Sequence, residues 1–362
     1  MLADGVVEAF RLQAQFCPEF GSPLYGDLLS RGADDIERGG PFAVLLDGWQ
    51  GRPMPDALPL RVMGGVHRLA LDGAVPELAA HFPSTGGTPR GAATWAVVRD
   101  VVASHYAVLR PALDRQVQTN EVRRSAALLS GFLTAAQRTG LPLRLREIGS
   151  SAGLNQLWDR YRYALPPSAE DAVPDDDAAP AYFWGDPQSP VTIRVGWHGD
   201  ASVLGGSAHV VERAGCDLSP IAVADPQHAR TLESFVWADQ VARLEQLRAA
   251  IAAARREPPH LVRRAAGDWL AEQLATPLAG AATVVFQSIM WWYLSNEERA
   301  RVTDTIEAAG ARATRAAPLA WLRFDLLGAR SPEVRLRLWP GGEDQLLATA
   351  DPHGRWVTWR AS

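Results

Sequence analysis

The spacing of hydrophobic residues changes character near residue 140. Before that point apolar residues recur at helical spacing, most clearly over residues 94–113 and 121–139. Thr119 and Asn120 precede the second of these segments and are expected to cap it, and Gly140 is expected to end it. The sequence therefore predicts a mainly helical N-terminal region.

From residue 143 onward, short apolar runs alternate with helical patterns. The predicted strands are residues 143–148, 209–216, 260–266, 282–287, 319–326, 334–339, 345–350 and 355–360. Turn sequences such as PGGED and DPHG join the later strands, as in an antiparallel meander. Parallel βα units that end in a meander predict an α/β fold with a Rossmann-like, doubly wound and mostly parallel sheet that has antiparallel C-terminal edge strands.

We predict two regions, a helical one at residues 1–140 and a Rossmann-like domain at residues 141–362. An insertion at about residues 164–208 interrupts the domain. Its AEDAVPDDDAAP stretch is expected to be an exposed loop, and residues 191–197 are expected to form a hairpin strand. Further helices are expected at residues 154–161, 237–251 and 295–310, the last with a Ser295–Glu298 capping box.

Composition excludes several classes of function. The chain has 362 residues, a net charge of −5 and no basic run, so a nucleic-acid partner is not expected. All 36 basic residues are arginine, which excludes enzymes that need a lysine amine, such as P-loop NTPases, protein kinases and Schiff-base enzymes. No apolar run approaches the roughly 20 residues of a membrane span, and the N-terminus lacks signal-peptide features. We expect a cytoplasmic protein without a membrane partner or a metal site.

The turn after the first predicted strand carries candidate chemistry. Glu147 ends the strand, and Gly149, Ser151 and Gly153 follow within a turn of small residues that leads into a predicted helix. Strand, glycine turn and helix form a geometry in which backbone N–H groups face a polar ligand, which indicates a nucleotide-type cofactor site.

The same turn also reads G-x-S-x-G, the sequence that exposes a nucleophilic serine in α/β-hydrolases. Asp325 and His353 follow Ser151 in the chain order of a hydrolase triad. His353, however, lies in a DPHG sequence typical of a tight turn. The sequence leaves Ser151 open as a turn residue or as a nucleophile.

Polar residues also end the following predicted strands. Asp217 ends the second, Asp268 and Trp269 follow the third, and Gln287 ends the fourth. Ligands of doubly wound sheets bind beyond the carboxyl ends of the strands. A carboxylate at Asp217 can accept both hydroxyls of a ribose. One at Asp268 can accept an adenine amino group, with Trp269 placed to stack on the ring.

These stretches resemble class I S-adenosylmethionine-dependent methyltransferases. The resemblance lies in EIGSSAG (147–153), where a serine replaces the middle glycine of their loop, in GCDLSPI (215–221), in GDW (267–269) and in residues 284–299. It implies that S-adenosylmethionine is held by Glu147, Gly149, Ser151, Gly153, Asp217, Asp268, Trp269 and Gln287.

Five stretches spread over nearly the full length of the chain are MGGVHRLAL (63–71), QTNEVRR (118–124), EIGSSAGLN (147–155), RAGCDLSP (213–220) and DPHG near the C-terminus. Through these stretches the chain resembles a bacterial family of unknown function, domain-of-unknown-function family 2332. This resemblance implies no particular reaction.

The resulting hypothesis is methyl transfer from S-adenosylmethionine to a small or medium-sized acceptor, a reaction that depends largely on positioning. A helix antiparallel to the first strand would bring Asn120, Glu121 and Arg124 near Gly149. We therefore expect them, with Trp291, to border the acceptor or the amino-acid end of the cofactor. The alternatives are a non-catalytic ligand-binding or scaffold protein and a serine hydrolase that uses the GSSAG turn.

Overall fold

The computed structural model describes residues 2–175, 177–326 and 331–361. The chain forms two compact units, each described by itself: Met1–Thr119 with Ala224–Arg248, and Asn120–Val223 with Ala249–Ser362. The predicted regions 1–140 and 141–362 stay a prediction. In the structure, the helix before the first strand lies in the second unit and residues 224–248 lie in the first.

Helices precede the first strand, and strands and helices alternate after it. The α-helices are α1 Val6–Glu19, α2 Pro23–Glu37, α3 Pro41–Leu46, α4 Leu58–Leu71, α5 Pro76–Ala79, α6 Ala92–Ser104, α7 Tyr106–Ala112, α8 Arg124–Thr139, α9 Pro226–Phe235, α10 Val241–Arg256, α11 Ala266–Gln273 and α12 Asn296–Ala311. The strands are β1 Leu143–Ile148, β2 Arg162–Leu165, β3 Tyr182–Gly185, β4 Thr192–Arg194, β5 Gly196–His198, β6 Val210–Asp217, β7 His260–Arg263, β8 Ala282–Ser288, β9 Leu319–Asp325, β10 Glu333–Trp339, β11 Glu343–Ala350 and β12 Trp356–Trp359. Short 3₁₀ helices occupy Pro83–Thr85, Leu154–Arg160, Ser202–Gly205 and Trp291–Tyr293.

The first unit is helical, and the MGGVHRLAL stretch lies in its core on α4. Gly64 faces the ring of Phe235 on α9, where a Cβ atom would collide with that ring. His67 is fully buried and hydrogen bonds to the Ser234 carbonyl (3.1 Å) and the Ser84 hydroxyl (2.8 Å). Burial lowers the pKa of His67 to about 4. This stretch therefore packs α4 against α9, and its histidine is neutral at physiological pH.

The second unit is built on a nine-stranded sheet in the order β5-β12-β11-β10-β9-β8-β1-β6-β7. Strands β7, β6, β1, β8 and β9 pair in parallel, and β9 to β12 pair antiparallel. In chain order the parallel strands have the arrangement 3-2-1-4-5 of a doubly wound fold, whose direction of winding reverses between β1 and β8. The predicted fold class is confirmed.

Helices cover both faces of this sheet. On one face α8 packs against β8, β9 and β10, with Phe132 edge-on to Phe286 at 5.1 Å between ring centroids. On the other face α11 and α12 bury Val302 and Ile306 against the strand residues Val285 and Trp321. Because helices cover both faces, the carboxyl ends of the parallel strands are where a fold of this kind admits a ligand.

Three helix predictions are wrong in detail. Segment 94–113 is divided at His105, whose backbone (φ −112°, ψ 27°) is not helical. Segment 154–161 is a 3₁₀ helix with a kink at Leu157, and the chain then enters β2. Asn120 does not cap α8, which begins at Arg124, because the Asn120 side-chain oxygen instead accepts the backbone N–H of Leu154 at 2.8 Å.

The insertion is more structured than predicted. It contains a three-stranded sheet of order β3-β2-β4. The predicted strand 191–197 is two strands, because β4 pairs with β2 of the small sheet and β5, from Gly196 onward, pairs in parallel with β12 of the large sheet. The third predicted strand is also shorter than expected and ends at Arg263, before α11.

Among the described residues, no helix is long and apolar enough to cross a bilayer.

Gly131 tests the packing of α8 on the sheet. A Cβ at this position would overlap the buried side chain of Leu322 on β9. We expect Gly131→Ala to lower the free energy of unfolding by about 1–3 kcal/mol through overpacking, despite its better helix propensity. Leu322→Ala removes the obstacle, so Gly131→Ala added to that variant should be neutral or stabilising. Urea unfolding of the four proteins measures this, and a cost of Gly131→Ala that is the same in both backgrounds would contradict it.

Candidate functional site

The turn after β1 lies at the switch point of the sheet. Gly149, Ser151 and Gly153 all have positive φ angles of 66°, 50° and 69°. A Cβ on Gly149 would come within 2.8–3.1 Å of the Met290 side chain, and one on Gly153 within 2.9 Å of Pro259. Both positions therefore require glycine for backbone conformation and for close approach. Ser151 adopts the same backbone region with a side chain, which is strained.

Asp217, the last residue of β6, holds this turn. One carboxylate oxygen accepts the backbone N–H of Ser151 at 2.9 Å, and the other accepts the backbone N–H of Ser219 at 2.8 Å. Each carboxylate oxygen can accept a second hydrogen bond, so ribose hydroxyls remain acceptable partners. Asp217 thus supports the turn and keeps capacity for a ligand.

Glu147 is buried below the turn, with 2% of its surface exposed. Burial raises its pKa well above the ordinary value and the Asp217 carboxylate adds to the rise, whereas the amide of Gln156 opposes it. The buried polar atoms for which the described residues provide no hydrogen bond include Glu147 Oε2, Ser151 Oγ, Asn155 Oδ1 and both amide atoms of Gln156. Native proteins rarely leave such atoms unsatisfied, so this cluster calls for a functional explanation.

The turn after β8 faces the turn after β1. Ile289 has φ of 49°, which is a strained conformation for a β-branched residue and is typical of functional sites. Asp325 at the end of β9 accepts hydrogen bonds from the backbone N–H groups of Met290 (2.8 Å) and Trp291 (3.2 Å) and from the Gln287 amide (2.9 Å). The buried Asp325 carboxylate therefore holds the strained turn in place.

Gln287 and Trp291 both contact Trp321. The Gln287 amide oxygen accepts the indole N–H of Trp321 at 3.1 Å, and the Trp291 ring lies 5.7 Å from the Trp321 ring. These contacts occupy the polar atoms of Gln287 within the protein. The predicted ligand contacts of both residues stay predictions.

Asp268 and Trp269 follow β7 and already have partners within the protein. They lie in the first turn of α11, where Asp268 is exposed and forms an ion pair with Arg301 at 2.6 Å. Trp269 is 3% exposed and packs in the core. In this structure, Trp269 therefore offers no free face on which an adenine ring could stack.

The residues before and at the start of α8 lie at the carboxyl edge of the sheet. Arg124 donates to the carbonyl oxygens of Pro352 (2.9 Å) and Ser288 (3.4 Å), and a Glu121 carboxylate oxygen accepts the N–H of Arg123 at 3.1 Å. Asn120 and Arg124 thus connect the turn after β1, the end of β8 and the DPHG turn. Their predicted contact with a ligand stays a prediction.

The geometry of Ser151 bears on the hydrolase alternative. Its strained backbone is typical of a nucleophile elbow, but such an elbow exposes the hydroxyl, whereas Ser151 Oγ is buried. The described residues show no hydrogen bond between Ser151 and His353, whose backbone N–H donates to Asp351 within the DPHG turn. No group of three metal-binding side chains occurs in the described part of the chain.

Sequence reasoning missed the roles of Asp325 as an anchor and of Ile289 as a strained residue. The sequence named Asp325 only as a possible triad acid, and its position at the end of the predicted strand 319–326 was the available signal for its anchoring role. No pattern in the sequence marks a positive φ at an isoleucine.

If Ser151 is a turn residue, glycine should suit its position better. We expect Ser151→Gly to raise the free energy of unfolding by about 0.5–1 kcal/mol, because relief of the left-handed strain exceeds the added chain entropy. Ser150→Gly is the matched control. Its hydroxyl donates to the Cys216 carbonyl at 3.1 Å, so its loss should cost about 1–2 kcal/mol. Thermal unfolding measures both changes. Labelling of Ser151 by a fluorophosphonate in the folded protein would contradict the turn role.

Asp325 predicts a pH dependence of stability. Burial raises its pKa from 3.8 to about 6, outweighing the hydrogen bonds from Gln287, Trp291 and Met290. The folded protein thus retains a proton that the unfolded chain loses between about pH 4 and 6, so stability falls as pH rises through that window. Asp325→Asn removes this dependence. Relative to wild type, its free energy of unfolding should rise on the order of 2–3 kcal/mol from pH 4 to pH 7. A pH-independent difference in urea unfolding would contradict this.

Comparison with known proteins supports one of the two resemblances. The model of the family described as "Uncharacterized protein conserved in bacteria (DUF2332)" matches residues 7–359. No curated protein and no solved structure matches the chain. The likeness to methyltransferases therefore stays a prediction. The chain belongs to the DUF2332 family of bacterial proteins.

Proposed function

We propose that this protein binds S-adenosylmethionine at the switch point between β1 and β8 and transfers its methyl group to a small or medium-sized acceptor. One observation carries the proposal. The glycine turn after β1 is joined, through the N–H of Ser151, to the carboxylate that ends β6. In doubly wound folds, a glycine turn beside a strand-ending acid is where a nucleotide is held.

The residues of the turn would divide the binding between them. Gly149 and Gly153 let the main chain approach the ligand closely, and Asp217 has free lone pairs for the ribose hydroxyls. Glu147 and the buried polar atoms beside it offer partners for the polar amino-acid end. When bound, S-adenosylmethionine supplies a sulfonium methyl that an acceptor nucleophile attacks in line, with the carbon–sulfur bond breaking and its electron pair remaining on sulfur.

Two features define how well the residues fit this ligand. Met290 packs on Gly149, so the ligand must displace this flexible side chain to reach the turn. Asp268 is paired with Arg301 and Trp269 is buried, so their predicted contacts with adenine would require this ion pair and this packing to change. The residues therefore fit the ribose and amino-acid end better than the adenine end.

A non-catalytic ligand-binding protein is the second candidate. The observation that favours it is that Asp217 and Asp325, carboxylates at the switch point, both accept hydrogen bonds from main-chain N–H groups. Such carboxylates stabilise turns, and neither is placed as a free general base. The cytoplasmic location and the absence of a nucleic-acid partner stay predictions under both candidates.

Calorimetric titration with S-adenosylmethionine and S-adenosylhomocysteine tests the proposal. If the ribose hydroxyls bind Asp217, Asp217→Asn should weaken binding by about 10- to 150-fold, equivalent to about 1.5–3 kcal/mol for a charge-assisted hydrogen bond. Unfolding without ligand records the separate cost of losing the bond to Ser151. Asp268→Asn is the control, and its exposed ion pair predicts unchanged affinity.

Each outcome has a definite meaning. Wild-type protein that binds neither ligand would overturn the proposal. Binding without any formation of S-adenosylhomocysteine over a panel of acceptors would favour the non-catalytic candidate. Equal affinities for wild type and Asp217→Asn would remove Asp217 from the site.

A further inference from the structure

Large apolar side chains are exposed around the carboxyl edge of the parallel strands. Trp292 and Tyr293, which follow β8, are 56% and 61% exposed, and Leu218, which follows β6, is 65% exposed. Leu326, directly after β9, is 37% exposed. Single exposed apolar residues are ordinary, but adjoining exposed aromatic residues form a patch, and such patches mark ligand or partner sites. We call Trp292 and Tyr293 the aromatic rim.

Hydrogen bonds hold the turn that carries the aromatic rim. The backbone N–H of Tyr293 donates to the Met290 carbonyl at 3.0 Å, and the Arg299 guanidinium donates to the Trp291 carbonyl at 2.9 Å. Asp325 anchors the same turn through the N–H groups of Met290 and Trp291. These hydrogen bonds therefore hold the backbone of the strained turn that carries the two exposed rings.

The rim follows closely in the chain on Met290, the residue that packs against the candidate methyl-donor site. Met290, two residues before Trp292, contacts Gly149 of the turn after β1. The rings of Trp292 and Tyr293 meet edge to face, with centroids 5.4 Å apart and planes at 76°. In that arrangement each ring keeps a face available to stack with a third aromatic ring.

We infer that the acceptor is a planar aromatic molecule whose ring stacks on Trp292 or Tyr293 and whose hydroxyl or amine points toward the turn after β1. This inference rests on the proposed function. The methyl group replaces a proton of that hydroxyl or amine, and the proton leaves to solvent. A protein partner fits less well, because two side chains cover little of the roughly 800 Å² that each partner contributes to a standard interface.

The test compares two exposed aromatic pairs. The rim variant is Trp292→Ala with Tyr293→Ala. The control variant is Tyr182→Ala with Phe183→Ala, a pair on β3 with similar exposure of 49% and 56%. The probe is 1-naphthol, and cyclohexanol serves as a non-planar probe, both measured by saturation-transfer NMR titration. Because both pairs are exposed, both variants should keep the wild-type unfolding temperature.

We expect the rim variant to bind 1-naphthol about two- to tenfold more weakly, from the loss of one stacking contact, and the control variant to bind as wild type does. Cyclohexanol should bind weakly and equally to all three proteins. Equal 1-naphthol binding by the rim variant and wild type would overturn the inference. So would dimerisation in sedimentation experiments that only the rim variant abolishes, because a second copy of the chain would then be the occupant.

A separate titration keeps the two proposals distinguishable. The rim variant should retain the thermal shift that S-adenosylmethionine gives to wild type, since Trp292 and Tyr293 are not assigned to that ligand. Binding of S-adenosylmethionine without rim-dependent binding of 1-naphthol would overturn only the aromatic acceptor. Rim-dependent binding of 1-naphthol without any binding of S-adenosylmethionine would overturn the proposed function and, with it, the acceptor role of the rim.

Discussion

The attachment of the β1 turn to the end of β6 is the constraint on which the candidate site depends. Ser151 donates its N–H to Asp217 and accepts from the N–H of Ile221 at 3.0 Å, and Ser150 donates to the Cys216 carbonyl at 3.0 Å. These bonds hold a left-handed serine that would otherwise favour another conformation. Without them, the glycines that follow β1 would not present a fixed main chain at the switch point.

A second carboxylate, on the other side of the switch point, holds a turn in the same way. Asp325 holds the turn after β8 as Asp217 holds the turn after β1, in both cases by accepting main-chain N–H groups. Ile289 stores strain in the second turn, and a buried carboxylate compensates for it. Both acids therefore anchor turns in this structure, and the position of an acid at a strand end does not by itself separate this role from the predicted ligand contact.

Local patterns predicted most of the sheet but little of the insertion. Strands β1, β6 and β8 to β12 were found within about three residues, because buried strands produce continuous or alternating apolar runs. Gly140 ended α8 as expected, with φ of 65°. Asn120 was misread because its oxygen bonds to Leu154, 34 residues away, and no local rule describes a bond over that separation. Gly149, Ser151 and Asp217 were predicted at one site from topology, and Ser151 and Asp217 are joined by a hydrogen bond. The burial of Trp269 among residues of α12 and the strands is a long-range feature that no local pattern describes.

Hydrogen bonds in the second unit connect several of the stretches through which this chain resembles its family. Within the second unit, Asn120 joins QTNEVRR to the turn after β1, Asp217 joins RAGCDLSP to the same turn, and Arg124 joins QTNEVRR to the DPHG turn. Main-chain groups held from several directions lose little further entropy when a ligand binds, which favours affinity. Met290 is the exception, because it packs on the turn only through a flexible side chain. The turn after β1 is therefore held by hydrogen bonds from several segments of this unit and is covered at Gly149 by a flexible side chain.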